Sequence, residues 1–108
     1  MRRKASTKRQ RRISSIILRD NALTRFQRRV YAAVLDIPRG EVRTYKWVSR
    51  KISRPSAYRA VGNAFNMNPY APMVPCHRVI MSDGGIGGYS AGVAAKRRRL
   101  KREGIDWL

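Results

Sequence analysis

From Thr24 onward, the apolar residues Phe26, Val30, Ala33, Val34 and Ile37 recur at intervals of three and four, the spacing of one helix face. Thr24 with Gln27 three residues later predicts a capping box at the start of that helix. Pro38 and Gly40 predict its end in a turn. A shorter pattern follows, with Thr44 as cap and Trp47, Val48 and Ile52 facing inward. The "SRP" at 53–55 breaks it, and Pro55 and Ser56 suit the start of another helix. There Ala57, Ala60, Val61, Ala64 and Phe65 form an i, i+3, i+4, i+7, i+8 stripe, with Arg59 pointing away from it. Two short helices around a tight break, the second rich in small residues, predict a helix-turn-helix. A last helix is expected from Val93 to Arg102, stopping at Gly104 as its C′ residue. That places Glu103 at the negative helix end, where a carboxylate needs compensation. "ISSIILRD" (13–20) is apolar and β-branched without a decisive period. The expected fold is mainly α: a winged-helix-like helix-turn-helix domain with at most a short strand pair, near the N-terminus.

Composition adds a partner to this picture. The 108 residues are 43% hydrophobic, enough for one small core. Residues 1–20 are expected to form a flexible basic arm and 21–108 the domain. The formal charge is +19, with seven basic residues in the first twelve and six in the seven residues "KRRRLKR" at 96–102. The second run, lying in a helical pattern, is expected to form a charged outer face. Self-repulsion of this size favours a polyanionic partner, of which nucleic acid is the usual one. No apolar run approaches the roughly 20 residues that span a bilayer, so no membrane role is expected. The chain is read as an intracellular protein, cytoplasmic or nuclear.

Candidate chemistry is concentrated in "PMVPCHRVI" (72–80), which holds the single cysteine, Cys76, beside the single histidine, His77. One cysteine cannot form an internal disulfide, which fits a reducing compartment. A thiol becomes a useful nucleophile when its thiolate is stabilised by positive charge or when a histidine takes its proton. Cys76, His77 and Arg78 supply those parts, with one geometric objection. Consecutive side chains on a regular strand face opposite ways, so the pair cooperates only if the segment bends or a water bridges it. Pro75 favours such a bend. Blander roles compete: a buried small hydrophobe for Cys76, a structural imidazole for His77, and an Arg78 that only neutralises a carboxylate or phosphate. One Cys and one His cannot complete a zinc site, so neither metal nor cofactor is expected. "SDGGIGGYSAG" (82–92) lacks the spacing of a phosphate-binding P-loop.

"PCHRV", the "GGYSAG" loop and the "LKREG" helix end, with "IPRGEVRTYKWVS" and "YRAVGNAFNMNP" upstream, together resemble the C-terminal domain of the O6-alkylguanine-DNA alkyltransferases over residues 24–104. The resemblance implies direct, single-turnover transfer of an alkyl group from O6 of guanine in duplex DNA to Cys76. It implies His77 as base through a water, Glu103 orienting that histidine, and Asn68 holding the water. It further implies Tyr45 at the phosphate backbone and assisting departure of the guanine, and Arg59 as a finger filling the vacated stack. Val79 (through its backbone), Ser90 (near O6) and Tyr89 would line the base pocket, with Ala57 and Arg78 among the DNA-contacting residues. The implied partner is double-stranded DNA carrying O6-alkylguanine, bound by a monomer. Gly88 and Ala91 depart from the family's usual asparagine and glycine, which bears on pocket width. The family usually carries a further N-terminal domain, in place of which this chain has the basic arm. The rivals are a non-catalytic lesion binder, in whose sister group tryptophan replaces the cysteine, and a basic structural DNA-binding protein.

Overall fold

The capping box predicted at Thr24 forms. The Thr24 hydroxyl accepts from Gln27 N at 3.1 Å, and Thr24 N donates to the Gln27 side chain at 2.8 Å. It starts helix α2 (Arg25–Leu35) in a computed structural model that describes residues 8–105. Val30, Tyr31 and Val34 of α2 are fully buried, each contributing about 1.5–3 kcal/mol by removal from water. The Tyr31 hydroxyl donates to the Ala64 carbonyl at 2.6 Å, so its one polar atom is satisfied inside the core.

Strand β1 (Arg43–Thr44) runs directly into helix α3 (Tyr45–Lys51), whose Trp47 amide donates to the Thr44 hydroxyl at 3.0 Å. Helix α4 (Tyr58–Asn66) follows and packs on α3, while α2 supports both. Val61, Ala64 and Phe65 of the expected stripe are buried, but Ala57 is half-buried and Ala60 exposed. The helix begins at Tyr58 rather than Pro55, so those two alanines sit at its outer end.

The strand pair is not near the N-terminus. β1 pairs in parallel with β2 (Val79–Ile80), joining Arg43 to Val79 and Thr44 to Ile80. The alternation was too short to read, because each strand has only two residues. Its effect is to tie the entry of α3 to the segment that follows Cys76.

The expected flexible arm is also corrected from Lys8 onward. Lys8–Arg19 is a helix, α1, packed on α2. Ile13 and Ile17, one turn apart, are buried at its inner face, and Gln10 Nε2 donates to the Leu35 carbonyl at the end of α2 at 2.8 Å. Two isoleucines and one bonded carbonyl dock α1 on the apolar surface that α2 presents. Residues 1–7, the remainder of the expected arm, lie outside the described residues. Helix α5 (Val93–Arg102) matches its predicted span. It ends with Ile105 N on Leu100 O at 2.9 Å and Gly104 N on Lys101 O at 3.0 Å, the paired bonds of a Schellman motif with Gly104 at φ +84°. Among the described residues no helix is long and apolar enough to cross a membrane.

Candidate active site

Cys76, His77 and Arg78 form one turn of 3-10 helix, between Pro75 and β2. The backbone is thus bent where a strand would have sent neighbouring side chains to opposite faces. The carbonyls of Val74 and Pro75 are occupied by this turn: Cys76 N donates to Val74 O at 2.8 Å, and Arg78 N donates to Pro75 O at 2.9 Å. Both Cys76 and His77 are buried, at 2% and 3% exposure.

Glu103 is the electrostatic centre of one side of the site. His77 Nε2 lies 2.7 Å from Glu103 Oε2, Arg78 Nε donates to Oε1 at 2.8 Å, and Arg78 NH2 donates to Oε2 at 3.1 Å. Gly40 N donates to Oε1 at 3.3 Å. Burial opposes ionisation of Glu103, but the Arg78 and His77 hydrogen bonds override it and hold its pKa down at about 2. These partners compensate for a carboxylate at the helix C-terminus. Because a carboxylate only accepts, His77 carries its proton on Nε2 and presents Nδ1 as an acceptor. Nδ1 is buried and has no hydrogen-bond partner among the described residues. Burial lowers the His77 pKa against the pull of Glu103, so the resting imidazole is neutral at neutral pH.

The other side of the site surrounds the sulfur. Asn68 Nδ2 donates to Val74 O at 3.1 Å and approaches Cys76 Sγ at 3.4 Å. Its Oδ1 accepts from Tyr70 N at 2.8 Å. Asn68 therefore touches the sulfur directly, where a water-holding position was expected. Burial pushes the Cys76 thiol pKa up, while the Asn68 hydrogen bond and the charges of Lys96 and Arg99 pull it down. The net direction is upward, which leaves the second of the two routes, a histidine that takes the proton. Desolvation is stronger than the cations, and the resting sulfur is a thiol.

Lys96 was missed by the sequence reading, which placed the whole 96–102 run on an outer face. It is fully buried. Its ammonium donates to Val79 O at 2.6 Å and Gly88 O at 3.2 Å, and lies 5.9 Å from the Tyr45 ring centroid. Burial lowers its pKa to about 8. The available signal was position: Lys96 is one turn before Leu100, and a residue at i−4 from a buried leucine shares its face.

Tyr45, the first residue of α3, is half-buried, with its ring 5.6 Å from that of Phe65. Burial raises the pKa of its hydroxyl. Tyr89 is buried and meets the His77 ring edge-on at 6.3 Å, while Ser90 beside it is exposed. Val79 is buried and its carbonyl is already taken by Lys96. Arg59 is exposed in the first turn of α4, beside the half-buried Ala57 at the N-cap. Arg78 departs from its expected DNA-contacting place. It is turned inward onto Glu103 and donates to the Ile37 carbonyl at 2.8 Å, because a buried carboxylate and an orphan carbonyl at the end of α2 both lie within its reach. The fold thus gathers Cys76, His77, Glu103, Asn68, Tyr45, Val79 and Tyr89 around one turn, and leaves Arg59 and Ser90 at the surface.

Most of the chain is similar to known proteins. Residues 25–105 match the family described as 6-O-methylguanine DNA methyltransferase, DNA binding domain. Over 80 residues the chain is 52% identical to a methylated-DNA–protein-cysteine methyltransferase of Methanosarcina barkeri, covering 74% of this chain and 51% of the relative. It is 49% identical over 80 residues to the protein of the same name from Mycobacterium tuberculosis, covering 74% and 48%. The chain spans about half the length of these curated relatives. Among solved structures, the Mycobacterium tuberculosis OGT in complex with DNA is similar at a TM-score of 0.74 and 48% identity, covering 76% of this chain and 50% of that one. The S. pombe Atl1, in complex with damaged DNA containing O6-carboxymethylguanine, is similar at 0.68 and 41%, covering 75% and 77%.

Proposed function

The chain belongs to the family of the 6-O-methylguanine DNA methyltransferase DNA-binding domain, and from that premise we propose that it repairs O6-alkylguanine in duplex DNA by moving the alkyl group to Cys76. The observation that carries the reading is the polarity of His77: Nε2 is committed to Glu103, and Nδ1 is left as a buried acceptor on the same turn as the thiol. Such an imidazole is a general base, not an ornament of the core.

The reaction begins with two neutral groups. The Cys76 thiol gives its proton to His77 Nδ1 through a water, and the imidazolium so formed is stabilised by the Glu103 carboxylate. The sulfur then displaces the guanine at the alkyl carbon: the S–C bond forms as the C–O6 bond breaks. The electron pair passes to the leaving base, which takes a proton as it departs. Tyr45, half-buried at the start of α3, assists departure by hydrogen-bonding the negative charge that develops on the base, and the proton itself comes from solvent. Ser90 and Tyr89 line the base pocket. Val79 contributes its backbone to that pocket, with Lys96 fixing the orientation of its carbonyl. S-alkylcysteine has no route back to thiol here, so each molecule acts once.

The target atom is inside a base stack, and reaching it means flipping the nucleotide at a cost of a few kcal/mol. Arg59 and Ala57, at the outer end of α4, are the residues that enter the stack and approach the backbone there. The strongly cationic surface supplies sequence-independent phosphate contacts, suited to lesions that occur anywhere.

Incubation with a duplex carrying O6-methylguanine, followed by intact-mass measurement, tests the reading. One added methyl group on Cys76, absent in Cys76→Ser, is the expected result. Lesion binding without any adduct would make the chain a non-catalytic lesion binder instead.

A further inference from the structure

Helix α1 lies outside the family-matched residues 25–105, and its outer face has the character of a binding surface. Ile13 and Ile17 fix the inner face against α2. On a helix turning about 100° per residue, Lys8, Arg12, Ser15 and Arg19 then share the opposite side, all four exposed. The spacing i, i+4, i+7, i+11 makes one straight ridge of roughly 16 Å. Its three cations meet no acidic side chain among the described residues.

Among the described residues every carboxylate is engaged elsewhere. Asp20 is held by Tyr70, Asp36 by Lys51, Glu41 by Arg43, Asp83 by Gly85 N, and Glu103 by His77 and Arg78. Helix stability does not explain the charges either. The first turn of α1 has Lys8 and Arg9 and no acidic residue, the sign that the macrodipole disfavours at an N-terminus. Lys8 is placed against the helix's own interest and Arg12 gains nothing from the dipole, Arg19 alone suiting the C-terminal end. With Ile13 and Ile17 taken up by α2, the row is complementary to a row of phosphates. An anionic membrane fits less well, since a helix binds the interface by burying one contiguous apolar face in lipid. Here Ile13 and Ile17 are inside the protein, and the exposed Ile16 and Leu18 lie on opposite flanks of the helix.

We propose that the Lys8–Arg12–Arg19 ridge is a second duplex-binding surface, which lets one molecule hold a second DNA segment while α4 engages the first. The proposal rests on the reading of α4 given above. Helix α2 contacts both α1 and α4; the ridge faces away from α2 and lies on a different helix from Arg59, so the two surfaces use separate side chains.

The test is a bridging assay. Unmodified duplex is fixed to beads, the full chain is added, and capture of a second, fluorescent duplex is measured. The expected result is capture by the wild type and at least a five-fold loss in Lys8→Gln/Arg12→Gln/Arg19→Gln, with the protein still retained on the beads. Glutamine keeps helix propensity, and the charge-preserving Lys8→Arg/Arg12→Lys/Arg19→Lys variant should capture like the wild type. Wild-type retention without capture, or equal capture by the glutamine variant, overturns the ridge alone. Failure to retain protein overturns both this surface and the reading of α4. Ridge-dependent binding to phosphatidylserine vesicles without duplex capture would make the partner a membrane.

Discussion

The ammonium of Lys96 lies 2.6 Å from the carbonyl oxygen of Val79, with no part of the lysine exposed. A charge so placed holds β2 against α5 and faces the cysteine, at the expense of its own hydration. Its pKa is lowered from 10.5 to about 8, so between these values the unfolded chain binds more protons than the folded one. Stability should therefore rise with pH across that window. Cys76, whose raised pKa acts in the opposite sense, is best removed by working in Cys76→Ser. There, the stability of the Lys96 protein relative to Lys96→Met should improve by about 2 kcal/mol between pH 7 and 9.5. Urea unfolding at the two pH values measures it; a constant difference would mean that Lys96 titrates normally.

Glu103 makes a different kind of demand. It neutralises Arg78 and orients His77 while only 7% exposed at its side chain. Glu103→Gln keeps the shape and leaves Arg78 a largely buried cation without its counter-ion, which should cost about 3 kcal/mol. The same variant should slow methyl transfer on the order of a hundred-fold by removing support for the imidazolium. The carboxylate's pKa falls from 4.5 to about 2 on folding. Its stabilisation is therefore complete above pH 4.5 and is lost as pH drops toward 2. Acid unfolding of Glu103→Gln should be correspondingly shallower across that interval.

The resting thiol should be sluggish. With burial raising Cys76 and lowering His77, neither group is charged at neutral pH, and a thiol is a poor nucleophile. Iodoacetamide should label Cys76 in the free protein more slowly than it labels a small-molecule thiol at pH 7.5. Methyl transfer from DNA should nevertheless persist below pH 6.5, since the depressed histidine remains a base there. Rapid labelling of the free protein would show that the sulfur is already ionised before DNA arrives.

Much of this was legible from residue order. Thr24 with Gln27, Thr44, and Gly104 each announced a helix boundary through local chemistry, and the boundaries fell there. The motif around Cys76 pointed to a bend, and Glu103 at an unfavourable helix end pointed to a compensating partner. What stayed hidden depended on distant segments. Two-residue strands have no period, so the pairing of Thr44 with Ile80 could not be read. Arg78 and Lys96 looked like surface cations because a charged residue among charged residues is usually solvated. The Glu103 carboxylate with the Ile37 carbonyl turns Arg78 inward, and the Val79 carbonyl turns Lys96 inward, all of them partners that the fold brings in.

Two adjacent glycines in the 82–92 loop should respond in opposite ways to alanine. A Cβ on Gly87 would sit 2.8 Å from the Tyr45 hydroxyl and 3.0 Å from its ring, at φ +76°. Gly87→Ala should therefore strain the backbone by about 1–2 kcal/mol and displace the tyrosine, lowering the methyl-transfer rate. A Cβ on Gly88 would meet nothing within 4 Å, and Gly88→Ala should leave both melting temperature and rate close to wild type. Equal behaviour of the two variants would separate Tyr45 from the loop.

Helix α1 offers the sharpest test of its own existence as a packed element. Ile17 is fully buried, whereas Ile16 beside it is 50% exposed. If the helix is docked on α2, Ile17→Ala creates a cavity and should destabilise the protein by about 2–5 kcal/mol. Ile16→Ala should stay within about 0.5 kcal/mol, as expected for a surface position. A free arm would give no difference between them, because both side chains would be equally hydrated in either state. Denaturant midpoints of the two variants, compared at a common slope, decide between a docked helix and an arm that lies loose in solvent.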